Sequence, residues 1–93
     1  MKIIWSIRAS ISYQKTIDFI LEKWPIEIAE NLETKIDELF NNLVQNKHFC
    51  PPSNNNPKIR RCVVSKQTSL IYEVGKNSIE ILLFIDNRSD HKY

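Results

Sequence analysis

The chain has 93 residues, 42% hydrophobic and 26% charged, with a formal net charge of +2, one glycine and two cysteines. That is the length of one small domain spanning residues 1–93, and its ordinary apolar and charged fractions exclude a disordered tail or a low-complexity polymer. A lone glycine also excludes the phosphate loops of P-loop and dinucleotide-binding folds, which need several positions free of a side chain.

The N-terminal stretch MKIIWSIRAS is too short in apolar residues for a signal peptide, and no run approaches the ~20 needed to span a membrane. Cys50 and Cys62 are fewer cysteines than a secreted domain of this size usually carries. The expectation is therefore a reducing cytoplasm with both thiols free. Charge is unevenly spread. Residues 1–46 carry five Lys/Arg against seven Asp/Glu, and residues 67–93 carry three against four. Between them Lys47, Lys58, Arg60, Arg61 and Lys66 stand without a single acid. Such a basic segment points to a polyanionic or acidic partner, or to a strand edge whose lysines discourage aggregation.

In chain order, Lys2–Ala9 alternates as a strand, with Ile3, Trp5, Ile7 and Ala9 on one face. Ser10 or Ser12 then caps a helix whose Ile17, Ile20, Leu21 and Trp24 fall on one side. Pro25 ends that helix and suits the start of the next. The second helix is predicted from about residue 26 to about 46, close to 30 Å at ~1.5 Å per residue. Its stripe is Ile28, Leu32, Ile36, Leu39, Phe40 and Leu43, with Glu27, Glu30, Glu33, Asp37 and Glu38 mostly on the other side.

Residues 48–57, HFCPPSNNNP, read as a loop. Three strands follow, at Lys58–Ser65, Thr68–Gly75 and Ser78–Asp86. Their short links demand an antiparallel meander, and glycine and asparagine at Gly75-Lys76-Asn77 suit positive φ. In the last strand Ile79, Ile81, Leu83 and Ile85 form the face expected under the helices, leaving Glu80, Leu82, Phe84 and Asp86 opposite. The fold class is α+β, a helix hairpin on a small antiparallel sheet in the order β-α-α-β-β-β.

His48, Cys50, Cys62 and His91 do not reproduce a zinc spacing, so no metal or cofactor is expected, and Cys62 reads as a small apolar filler. No G-x-S-x-G elbow exists for a serine nucleophile. What remains is the basic and polar set Lys58, Arg60, Arg61, Lys66, Arg88, His91, Lys92 and Tyr93. Cations on a sheet hold phosphates, and a nearby histidine or tyrosine moves protons when an RNA 2′-OH attacks its neighbouring phosphate. The plainer reading makes the C-terminal NRSDHKY a solvated tail.

Trp24 closing the first helix, the long amphipathic second helix, then IRRCVVSKQTSLIYEV and IEILLFIDNRSDHK together resemble the RelE/ParE superfamily, the toxins of type II toxin–antitoxin pairs often labelled plasmid stabilisation proteins. The resemblance covers the whole chain. It implies a cytoplasmic protein with a cognate antitoxin encoded next door, assembled as a homodimer or in a toxin–antitoxin hetero-oligomer. RelE-like members cut messenger RNA on the ribosome, whereas ParE-like members poison DNA gyrase. For a ribonuclease, the resemblance implies catalytic roles for Arg60, Arg88, His91 and Tyr93. For either target it implies a binding surface of Lys58, Arg60, Arg61, Lys66 and Arg88. Ribonuclease members usually carry arginine three positions before the strand tyrosine. Here that tyrosine is Tyr72 and the position is Ser69, while Cys62 breaks the alternation of basic residues on the preceding strand. The resemblance therefore implies a ParE-like toxin first, an mRNA endoribonuclease second, and a non-toxic binding module of the same fold third.

Overall fold

Six elements succeed one another along residues 1–88, the part described by the structure, a computed structural model. They are β1 (Lys2–Trp5), α1 (Ile7–Lys23), α2 (Ile26–Gln45), β2 (Ile59–Val63), β3 (Thr68–Val74) and β4 (Ser78–Asp86). The strands form one sheet in the order β1-β4-β3-β2, and the helix hairpin covers one of its faces. β2, β3 and β4 make the expected antiparallel meander. β1 lies parallel to β4, with Ile3 opposite Ile79 and Trp5 opposite Ile81, so the sheet as a whole is mixed.

The first strand is shorter than its alternation suggested, because Ser6 turns the chain into a helix. Ser6 is the N-cap, in place of Ser10 or Ser12. Its hydroxyl accepts from the Ala9 N–H at 2.9 Å, satisfying one of the free donors of the first turn. Ala9, expected on the strand face, is fully buried inside α1 instead. Trp24 closes the helix by donating its N–H to the Ile20 carbonyl at 2.8 Å, and Pro25 precedes the first turn of α2. On α2 the buried residues are Ala29, Leu32, Ile36, Leu39 and Leu43, spaced three and four apart as one helical face. Ile28 is left 41% exposed at its edge.

In β4 the alternation breaks at a bulge. Ile71 of β3 faces Leu83, yet Tyr72 faces Ile81, so Leu82 is an extra residue without an opposite number. Every side chain beyond it changes face. Ile79, Ile81 and Phe84 join Leu70, Tyr72 and Cys62 in the core under the helices. Leu83 and Ile85, expected there, belong with Ile71 and Ser69 on the opposite face. Two serines of α1 satisfy the backbone groups that the bulge disturbs. Ser6 donates to the Leu82 carbonyl at 2.7 Å, and Ser12 accepts from the Phe84 N–H at 2.9 Å. Hydroxyls at these positions thus lock α1 to β4 at a fixed depth.

The β3–β4 turn uses its glycine for close approach, not for handedness. No residue among those described has positive φ. Gly75 donates its N–H to the Ser78 carbonyl at 2.8 Å, and a Cβ on it would meet Ser78 Oγ at 2.8 Å and the Ser78 carbonyl oxygen at 3.0 Å.

Cys50 and Cys62 are joined in a disulfide, with Cα atoms 5.3 Å apart, and both are buried. The free-thiol expectation, and Cys62 as mere apolar filler, are corrected accordingly. The folded loop returns Cys50 beside the middle of β2, a proximity that the twelve-residue spacing does not disclose. The compartment argument from cysteine number loses its footing with it. No described helix is long and apolar enough to cross a membrane.

Candidate functional site

Arg60 and Arg61 are neighbours on β2, so strand alternation sends them to opposite faces of the sheet. Arg60 turns to the side of Cys62 and holds the preceding loop. Its Nη1 donates to the Cys50 carbonyl at 2.6 Å and to the His48 carbonyl at 3.3 Å. The loop in turn lies along the outer edge of β2. Arg61 donates its N–H to the Pro51 carbonyl at 3.2 Å, Ser53 donates to the Ile59 carbonyl at 2.7 Å, and Pro52 bridges to Arg60. Residues 50–53 are therefore a strap that closes an otherwise open strand edge.

Tyr72 supports the strap from beneath. Its hydroxyl donates to the Lys47 carbonyl at 2.8 Å and accepts from the Cys50 N–H at 3.4 Å. The ring is fully buried, and burial pushes the phenol pKa upward, opposed in part by the Cys50 N–H and the nearby Arg60 cation. Arg60 Nε is buried without a hydrogen-bond partner among the described residues. Arg60 and Tyr72 thus act together as a clamp on one loop.

On the opposite face Arg61 enters a polar lock. Its Nε donates to Ser69 Oγ at 3.3 Å and its Nη2 to Asn87 Oδ1 at 3.0 Å. The Ser69 hydroxyl also donates to Asn87 Oδ1. Asn87 uses its amide to reach the Ser65 and Lys66 carbonyls at 3.1 and 3.2 Å, and its backbone N–H donates to the Gln67 carbonyl at 2.8 Å. The end of β4 is so tied to the β2–β3 turn. Ser69 and Ile71 are fully buried, and Ile85 nearly so.

Arg88 is exposed and grips Asp86 through two donors, with Nη2 2.7 Å from Oδ2. Those hydrogen bonds and the carboxylate charge raise the pKa of its guanidinium. Lys58 and Lys66 are exposed. His91 and Tyr93, the residues expected to move protons, lie outside the described residues, as does Lys92.

The structure thus separates what the basic segment suggested as one surface. Arg60 faces the strap, Arg61 the polar lock, and Arg88 its own acid, while Lys58 and Lys66 present free ends to solvent. Two participants had escaped sequence reasoning. Asn87 shows only as a polar residue after a strand, and the Tyr72 hydroxyl has no partner within twenty residues of chain. No local pattern could have announced either.

No protein-family model matches the sequence, and no curated protein matches it either. Solved structures do. A chain of the chromosomal ParDE toxin–antitoxin system from P. aeruginosa superposes with a TM-score of 0.74 at 19% identity, over 92% of this chain and 95% of that one. A YoeB/ParE toxin from Agrobacterium tumefaciens gives 0.66 at 14% identity, covering 94% and 99%. A chain of the heterotetrameric YoeB–YefM toxin–antitoxin complex from Staphylococcus aureus gives 0.62 at 18%, covering 91% and 94%. Two helices on a four-stranded sheet in the order β-α-α-β-β-β is the fold of the RelE/ParE toxins, and this chain has it.

Proposed function

We propose that this chain is the toxin of a type II toxin–antitoxin pair, ParE-like in activity, which arrests growth by acting on DNA gyrase. A cognate antitoxin neutralises it, and both act in the cytoplasm. The observation that carries the choice of target is Ser69. The resemblance puts an arginine at this position in ribonuclease members. Here it holds a fully buried serine whose hydroxyl is shared between Arg61 and Asn87.

Transition-state stabilisation of phosphoryl transfer needs cations aimed, unencumbered, at the phosphate. Arg60 instead spends two donor contacts on loop carbonyls, and Arg88 is held by Asp86. A protein-binding toxin has no such requirement. The close superposition on a ParDE chain agrees with this reading, and the YoeB chain solved with YefM is a precedent for an antitoxin partner.

The test uses the purified protein in two assays side by side. Inhibition of gyrase supercoiling without cleavage of ribosome-bound messenger RNA is the expected result. Cleavage that disappears in Arg60→Ala and Arg88→Ala, with gyrase unaffected, replaces the reading with the ribonuclease one. No growth arrest on induction, and no small partner protein from the adjacent reading frame, returns the chain to the class of non-toxic binding modules.

A further inference from the structure

The loop that carries the strap is fastened differently at its ends and in its middle. At one end the Lys47 carbonyl accepts from the Tyr72 hydroxyl at 2.8 Å, and the Lys47 ammonium donates to the Gly75 and Lys76 carbonyls at 3.2 and 3.3 Å. At the other end the Lys58 carbonyl accepts from the Val74 N–H at 2.8 Å. Each end is also a closed turn. Asn46 Oδ1 accepts from the His48 N–H and Asn56 Oδ1 from the Lys58 N–H, both at 3.0 Å. Residues 47 and 58 are thus tied to β3 and the turn after it by contacts that do not involve the disulfide.

Between them the chain gains little by lying down. Cys50 is the one buried residue from 48 to 57, and Phe49 is left 51% exposed. Pro51 and Pro52 have no N–H to give, so the ladder to β2 stays sparse: Arg61 donates to the Pro51 carbonyl at 3.2 Å and Ser53 to the Ile59 carbonyl at 2.7 Å. The Cys50 N–H meets the Tyr72 hydroxyl only at 3.4 Å. A segment with so few buried apolar contacts opens locally at small cost unless something else holds it. The bond from Cys50 to Cys62 is that hold, placed at the middle of the strap and anchored beside Arg60 on β2.

We propose that the Cys50–Cys62 bond is a redox latch on the β2 edge: oxidised it keeps the strap closed, and reduced it lets the strap lift while the sheet and helices stay folded. The reductant is a dithiol. One of its thiolates attacks one sulfur of the bridge, the S–S bond breaks, and the other cysteine leaves as a thiolate that takes up a proton. The second thiol of the reductant then displaces the mixed disulfide. Two electrons and two protons pass to Cys50 and Cys62, and the reductant is left as a disulfide. Lifting the strap uncovers the Arg61 N–H and the Ile59 carbonyl, so that β2 becomes an open edge strand. It also withdraws from Arg60 the carbonyls that occupy its Nη1. The inference goes beyond the toxin reading and stands on the loop alone, so a failed supercoiling assay leaves it untouched.

The test is residue-resolved amide hydrogen exchange by NMR on the whole protein without denaturant. It is run on the oxidised protein, after reduction with dithiothreitol, and after reoxidation. The expected result is that the Cys50, Ser53 and Arg61 amides exchange at least about tenfold faster when the bridge is reduced, while the amides of β3 stay protected by more than about a hundredfold over an unstructured chain. Reoxidation restores the first pattern. The double substitution Cys50→Ser/Cys62→Ser reproduces the reduced pattern and does not respond to dithiothreitol. Equal protection of the strap in both redox states overturns the proposal, because the hydrogen bonds alone then keep it closed. Loss of β3 protection in step with the strap overturns it too, since the bridge then maintains the whole fold. So does a failure of reoxidation to restore protection, or a response of the double serine variant to the reductant.

Discussion

Replacing Cys50 and Cys62 together by serine removes the covalent tie between the strap and β2 without touching the hydrogen bonds beside it. The closed loop is short, with a sequence separation of 12. Loop-closure entropy for about a dozen residues predicts a loss of roughly 3 kcal/mol of folding free energy. For a domain of this length each kcal/mol is worth about 4–8 °C in melting temperature, so the midpoint falls by roughly 12–24 °C. The assay is urea and thermal unfolding of wild type and double serine variant, with the wild type measured both oxidised and after dithiol reduction. Reduced wild type and variant coincide if the bridge alone is responsible. A loss under about 1 kcal/mol refutes the reasoning, since the loop would then be held by Arg60, Tyr72 and the edge hydrogen bonds without covalent help.

Other substitutions test the remaining contacts. Arg60→Met keeps the aliphatic stem but withdraws both donors from the His48 and Cys50 carbonyls, and about 2 kcal/mol is lost in urea unfolding; an unchanged midpoint contradicts the clamp. Ser6→Ala uncaps α1 and orphans the Leu82 carbonyl, costing about 1–2 kcal/mol, whereas Ser10→Ala, at a position the structure does not use as a cap, leaves stability within about 0.5 kcal/mol. Tyr13 and Tyr72 have pKa values raised above 10.0, chiefly by burial and for Tyr13 also by Glu33 and Asp37. The folded state therefore holds these protons longer than the unfolded chain does. Their contribution is whole below pH 10 and is lost as pH rises through the folded values. Tyr72→Phe flattens that alkaline decline, which stability curves measured across it will reveal; an unaltered decline contradicts the assignment.

How far the sequence disclosed this molecule depends on whether the relevant information is local. The bounds of α2 and of β4 follow from long apolar periodicities, and both lie within a residue of expectation. β1 is different. Its alternation continues through Ile7 and Ala9, which a helix face accommodates equally well, and only the Ser6 cap decides between them. The β4 bulge is invisible in a single strand, because it is defined by the count of residues on β3 opposite. One extra residue at Leu82 is enough to put Phe84, in place of Leu83 and Ile85, on the face under the helices. The disulfide, the Arg60 clamp and the Asn87 lock share the same character. Each joins residues brought together by the fold, so counting charges located the basic segment but not the partners that consume it.

The most direct measurement of the central claim is supercoiling of relaxed plasmid by DNA gyrase, titrated with the purified protein. A ParE-like toxin inhibits in a dose-dependent way, is relieved by the cognate antitoxin, and leaves ribosome-bound messenger RNA intact in a parallel reaction. Undiminished supercoiling at stoichiometric excess, together with messenger RNA cleavage that requires Arg60 and Arg88, would contradict it.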